Sequence, residues 1–177
     1  MFPSTFENVS DISFSIDAFA LNVGDATLSW VTTSLQNLFN AANANGFSLF
    51  ISMDVYASGA ACYASGTSCN GPYDYSDIFG WVFDQPSYAL GPNGNPFVST
   101  FSSGGFVNTE WLDWKKSIGR DIYFCPDFDE TDGYYNGTAA LPGWWYYWGP
   151  VVDCIFSWET SWPKRSTPLP DPNPNIG

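Results

Sequence analysis

The chain is expected to fold as an α/β protein, a partial (β/α)8 TIM-type barrel with about five recognisable parallel strands. Three observations carry this expectation. The first is Ile16 to Asp25, where Phe19, Leu21 and Val23 alternate with Ala18, Ala20 and Asn22 before Gly24-Asp25. A period of two followed by a polar exit reads as a strand and its turn. The second is Phe47 to Asp54, which repeats the plan: Leu49, Ile51 and Met53 on one side, Ser48, Phe50, Ser52 and Asp54 on the other. The third is spacing: Asp25 and Asp54 stand about thirty residues apart, the length of one strand-helix-strand unit. The small side of the first strand suits the crowded inside of a barrel, and its bulky side would meet helices.

The remaining elements come in order. Leu28, Val31, Leu35, Leu38, Phe39 and Ala42 keep helical spacing, with Thr27 as the expected cap and Gly46 as the stop. After the second strand comes a long loop, 56–74, of the kind that carries binding function at strand exits. Tyr75, Ile78, Phe79, Val82 and Phe83 predict a second helix, and Pro86 and Gly91-Pro92-Asn93-Gly94 mark turns beyond it. Pro96 to Phe101 reads as the third strand. Thr109 to Ile118 is a short helix capped by Asn108 or Thr109 and stopped by Gly119. Asp121 to Cys125 is the fourth strand, running into the acidic exit Pro126 to Glu130. The aromatic stretch Gly143 to Gly149 is too apolar for plain surface, and Asp153 to Trp158 is the expected fifth strand. A doubly wound sheet is disfavoured, because Asn22-Val-Gly-Asp is no phosphate loop. Residues 1–163 then form one partial domain, and 164–177 a Pro- and Asn-rich tail.

Composition narrows the function. With 45% hydrophobic and 19% aromatic residues the chain can build a core. Its formal charge is −13, from 5 Lys and Arg against 18 Asp and Glu, which argues against a nucleic-acid backbone or an anionic membrane as partner. No apolar run is long enough to span a membrane, and no secretory apolar segment follows Met1. Histidine is absent, which removes His-based triads and most zinc sites. An acidic surface rich in Trp and Tyr fits a neutral ligand with flat apolar faces, such as a sugar; an ordinary acidic secreted protein has the same composition. The sequons at Asn8 and Asn136 give weak support for secretion. Cys62 and Cys69, seven apart in a small-residue loop, are expected to form a bridge. Cys125 and Cys154 are expected to stay free, because parallel neighbouring strands would place one near an exit and the other near an entrance.

Four motifs in order resemble one family: Ile-Asp-Ala-Phe-Ala-Leu-Asn (16–22), Gly-Phe-Ser-Leu-Phe-Ile-Ser-Met-Asp (46–54), Pro-Phe-Val-Ser-Thr-Phe (96–101), and Phe-Ser-Trp (156–158) with Trp162-Pro163. They are similar to the fungal α-1,3-glucanases, or mutanases, family 71 of the glycoside hydrolases. The resemblance implies a secreted (β/α)-barrel enzyme, extracellular or in the cell wall. It implies a monomer without cofactor that cleaves α-1,3-glucan by acid-base hydrolysis. The family's acid pair lies in a Trp-Asn-Asp-x-x-Glu stretch that this chain lacks, and its opening strand and helix have no room before Ile16. The chain therefore corresponds to the first half to two-thirds of the catalytic domain, and is expected to be inactive as it stands.

Glycoside hydrolysis needs two carboxyl groups across the scissile bond. The candidates are Asp25, Asp54, Asp127, Glu130 and Glu159. By resemblance Asp25 and Asp54 are the catalytic candidates, either orienting sugar hydroxyls or assisting the acid. The alternative for each is a solvated carboxylate capping the next helix. Asp127 is a substrate-binding candidate, although Asp127 and Glu130, in a loop without a partner motif, read more simply as surface charge. Trp158 at a strand exit suits stacking on a glucose ring, with a core tryptophan as the alternative. Asn22, facing inward, suits a sugar hydroxyl or a neighbouring carboxylate. Trp144, Trp145 and Trp148 fit a groove, and fit the buried face of a helix better. Two further readings stand beside the hydrolase: a non-catalytic glucan-binding or wall-associated protein, and a defective gene product with open sheet edges.

Overall fold

The computed structural model describes residues 16–58, 70–132, 134 and 142–158. The expected Cys62–Cys69 bridge, both sequons, Glu159 and the Pro-rich tail lie outside the described residues. Four parallel strands form one sheet in the order β1 (Ala18–Val23), β2 (Ser48–Asp54), β3 (Phe97–Phe101) and β4 (Tyr123–Asp127). Neighbours in sequence are neighbours in space, as successive βα units of a barrel require, and β1 and β4 leave the sheet open.

The helices follow the apolar spacing. Helix α1 (Ser29–Asn45) buries Val31, Leu35, Phe39 and Ala42, and ends at Gly46. Gly46 has φ +72°, a left-handed geometry glycine adopts without strain, and its N–H closes on Ala42 O. Thr27 is not the cap: Leu28 holds that position without a side-chain bond. After the short α2 (Val55–Ser58), a 3-10 turn (Gly71–Tyr75) leads into α3 (Ser76–Val82), which buries Ile78, Phe79 and Val82. Helix α4 (Asn108–Ser117) begins after Val107, whose N–H is taken by the Glu110 carboxylate at 2.8 Å. Helix α5 (Pro142–Trp148) is the aromatic stretch, with Trp144 and Trp148 buried and Trp145 exposed.

The core lies between the sheet and these helices. Ile51, Met53, Val98 and Phe124 on the strands are fully buried against it. On α4, Trp111 and Trp114 sit three apart, both without exposure, and their rings meet at 5.1 Å. Each indole N–H finds a carbonyl: Trp111 donates to Ser103 O and Trp114 to Pro72 O. The opposite face is small only on β1. Register places Ala20 beside Phe50, Phe97 and Tyr123, so β2 to β4 line that face with half-buried rings.

The fifth strand does not form, and the reason is local. Tyr123 N bonds towards β3, so Phe124 and Pro126 present the groups on the outer edge of β4. Phe124 O accepts from Asp153 N (2.8 Å) and Cys154 N (3.3 Å), and Pro126 O accepts from Phe156 N (3.3 Å). The return bonds are missing. Pro126 has no N–H, and Phe124 N donates to the Asp153 carboxylate at 2.8 Å instead. The segment 153–158 therefore lies along β4 with half a ladder.

A covalent link supplements it. Cys125 and Cys154 form a disulfide with Cα atoms 4.6 Å apart, against the expectation that both are free. Because the segment first meets β4 at Phe124, Cys154 lands beside Cys125 and not at the strand's far end. The bridge closes a span of 29 residues. Reducing it, or replacing Cys154 with serine, is expected to lower stability by about 3–4 kcal/mol on loop-closure entropy. Urea unfolding with and without reductant measures this; unchanged midpoints would show that the half ladder suffices.

Candidate active site

Parallel strands deliver their exits to one end. Asp25 follows β1, Asp54 closes β2 and Asp127 closes β4, so all three stand at the C-terminal rim of the sheet. Trp158 joins them, because its backbone N–H donates to Asp127 Oδ2 at 3.3 Å. Tyr75, buried beneath the rim, ties the first two exits together. Its hydroxyl donates to Val23 O at 2.6 Å and lies 3.4 Å from Asp54 O, and burial pushes the phenol above its ordinary range.

The two carboxylates expected to be catalytic both make local turns. Asp25, exposed, accepts from Thr27 N (2.9 Å) and Thr27 Oγ1 (2.6 Å) through Oδ1. Asp54, half-buried, accepts from Ala57 N at 3.0 Å and starts α2. Asn22 is exposed on β1 beside Ser52, which pairs with Ser99. The hydroxyls of Ser52 and Ser99 are buried with no hydrogen-bond partner among the described residues. One layer towards the rim, Asp54, Phe101 and Asp127 stand in register across three strands, which separates the two aspartates by about 10 Å at Cα.

Asp127 is not surface charge. It has no exposure at all. Its Oδ1 accepts from Asp129 N at 3.2 Å and its Oδ2 from Trp158 N. Burial, with the Asp129 charge beside it, raises its carboxyl to about 8, so the group is mostly neutral at pH 7. Asp129 in turn accepts from Ser157 Oγ at 3.1 Å. Glu130 is exposed, but its carboxylate accepts from Ser102 Oγ (2.9 Å) and Ser103 N (2.5 Å) and so ties the exits of β3 and β4 together. Ser102 is held at φ +70°, a strained geometry for a residue with a Cβ. Trp158 is half-buried and meets Phe101 edge-on at 5.6 Å; its indole Nε1 is buried without a hydrogen-bond partner among the described residues.

The rim thus gathers carboxyl groups beside a tryptophan. The family model for glycosyl hydrolase family 71 matches residues 9–173. The chain belongs to glycosyl hydrolase family 71. It is 30% identical over 187 aligned residues to the glucan endo-1,3-alpha-glucosidase agn1 of Schizosaccharomyces pombe; the alignment covers 97% of this chain and 37% of that protein. The chain thus spans little more than a third of the length of the relative it matches. No solved structure matches it.

For a family 71 chain, sequence motifs located the strand exits carrying Asp25 and Asp54; Trp158 reaches the same rim on a segment that forms no strand. They missed Asp129, Ser157 and Tyr75, which hold the rim together. The spacing of Asp127 and Asp129 is visible in the sequence, but nothing local shows that one is sealed and the other bonded to a serine 28 residues away.

Proposed function

We propose that this chain takes part in the hydrolysis of fungal α-1,3-glucan outside the cell or in its wall, as a monomer, with the C-terminal rim as its sugar-binding side. The observation that carries the reading is the gathering of Asp25, Asp54, Asp127 and Trp158 at one rim in a member of a glycoside hydrolase family. Trp158 stacks on a glucose ring, and Asn22 bonds a sugar hydroxyl. Asp54 and Asp25 are the carboxylates that orient the sugar or assist the acid. A neutral polymer suits a surface of this charge, which an anionic one would not.

On this reading the 177 residues form one wall of a larger cleft, and this chain alone hydrolyses α-1,3-glucan at no appreciable rate. Glycoside cleavage needs a protonated carboxyl at the leaving oxygen, worth roughly a hundred- to ten-thousand-fold. The rim's neutral carboxyl, Asp127, is sealed from any polymer. That same burial favours a second reading, in which the chain binds glucan without turning it over. Incubation of the purified chain with insoluble α-1,3-glucan separates the two. We expect some protein to sediment with the glucan and no reducing ends above a boiled control. Sustained release would place an accessible acid pair within the chain. Loss of both binding and release would remove the sugar reading altogether.

A further inference from the structure

We propose that the cavity between helix α5 and the turn after β4 is a second sugar-binding site, which takes a glucose ring of the polymer outside the rim that carries Trp158. Its ligand class rests on the function proposed above; its place and shape do not.

The position follows from the chain. Thr131 and Asp132 come directly after the acidic exit of β4, and α5 brings the chain back against them. Between the two lies a cavity of about 370 Å³, at the low end of the roughly 300–1,000 Å³ usual for small-molecule sites. Trp144, Tyr147 and Trp148 wall it, and Gly143 leaves its side open.

A flat wall serves a ligand only if it stays in place, and this one is held from behind. Trp148 is buried, and its ring meets Phe128 of the core at 4.7 Å. Trp144, also buried, donates its indole N–H to Thr131 Oγ1 at 2.8 Å. Tyr147 is 40% exposed, yet it is tied to the start of α4 at both ends. Asn108 Nδ2 donates to its main-chain O at 2.8 Å, and Asn108 N to its Oη at 3.4 Å. Rings ordered before a ligand arrives lose little side-chain freedom when it binds.

The lining selects the ligand. Ring faces and edges suit the apolar face of a pyranose, whose hydroxyls then need acceptors. Asp132 supplies an exposed carboxylate at the same cavity. An anion is repelled by that carboxylate in a chain of charge −13, and a wholly apolar ligand would strip it of water with nothing in return. A neutral ring bearing hydroxyls meets both demands. The cavity is also continuous with the rim. The Tyr134 ring meets Trp144 at 5.3 Å, its Oη donates to Phe156 O at 3.3 Å, and the Phe156 ring meets Trp158 at 6.0 Å. One polymer strand engaging both sites is held more firmly than by either, since the second contact forms at high effective concentration.

The test follows two rings at once. The full chain, labelled with 15N-tryptophan and assigned, is titrated with short soluble α-1,3-linked glucose oligosaccharides. We expect the indole signal of Trp144, beside the cavity, to shift saturably. Gly143→Leu is the blocking variant. A Cβ at Gly143 meets nothing within 4 Å, and leucine favours a helix over glycine, so the fold is kept while the mouth of the cavity fills. The variant should weaken the Trp144 response about tenfold, as loss of one good ring contact does, and leave that of Trp158 in place. Should it not fold, Tyr147→Ala removes the exposed ring of the wall and should act alike. A shift at Trp158 with none at Trp144, or a Trp144 response that the variant leaves intact, overturns the second site and spares the function proposed above. A shift at Trp144 alone upholds the second site and removes Trp158 as a platform. No shift at either overturns both. Trp144 signals that move with protein concentration and not with sugar give this face to another copy of the chain and overturn the proposal.

Discussion

Trp111→Ala is expected to remove about 3–5 kcal/mol of folding stability, the usual cost of deleting a fully buried tryptophan. The ring has no exposure and lies 5.1–5.3 Å from Trp114, Phe124 and Phe128, so its loss leaves a cavity walled by other rings. Large flat side chains already packed on three sides cannot collapse into that space. The substitution also removes the indole N–H donor from Ser103 O, which is left with its single bond from Phe106 N at the exit of β3 beside the rim. A domain of this size commonly has only about 5–15 kcal/mol in all, so the variant should unfold at a much lower denaturant concentration with little change in slope. Trp30→Ala is the control. That ring is 64% exposed on α1, and its removal should change stability by less than about 0.5 kcal/mol. Equal effects from the two would mean that the aromatic cluster under α4 is not the core.

The second large effect concerns pH. A carboxyl raised to about 8 in the folded chain, from an ordinary value near 4, binds its proton more tightly folded than unfolded. Its contribution to stability is therefore fully present below about pH 4 and is lost as pH rises through about 8, above which both states have released the proton. Asp127→Asn removes the titration. Its stability should change less between pH 4 and 8 than the parent's. Relative to the parent it should gain on the order of a few kcal/mol between pH 4 and 9, since each tenfold in proton affinity is worth about 1.4 kcal/mol; its amide nitrogen, set against one of the two backbone N–H donors, costs the same at every pH. Urea unfolding at four or five pH values decides it; parallel curves for parent and variant would show that Asp127 ionises normally.

Both effects come from residues whose burial the sequence displays unequally. Tryptophans three apart on a predicted helix already point to a common face, and Trp111 and Trp114 share it. An aspartate in Pro-Asp-Phe-Asp-Glu displays nothing of the kind, and its simplest reading is surface charge. Local pattern reports which side of an element a residue takes. It does not report what another element lays over that side. Asp127 is sealed by Phe101 from β3 and by the strap of residues 153–158 that carries Trp158, and both come from far along the chain.

The same division runs through the fold. Alternation, helical spacing and Gly46 determined three of the four strands to within a residue or so and the first helix, because those signals act over a few neighbours and survive any tertiary context. The family, too, was legible, since its motifs sit on those strands. The end of β4, the fate of 153–158 and the disulfide were decided by the tertiary structure. A strand's identity depends on its partner's free groups, and Pro126 with the Asp153 carboxylate removes the donors that a fifth strand needs. The bridge depends on where that strap first meets β4, which brings Cys154 to 4.6 Å from Cys125 and carries Trp158 to the rim. Spacing along the chain holds no measure of either distance, because contacts between segments so far apart are set by packing and not by the residues next in line.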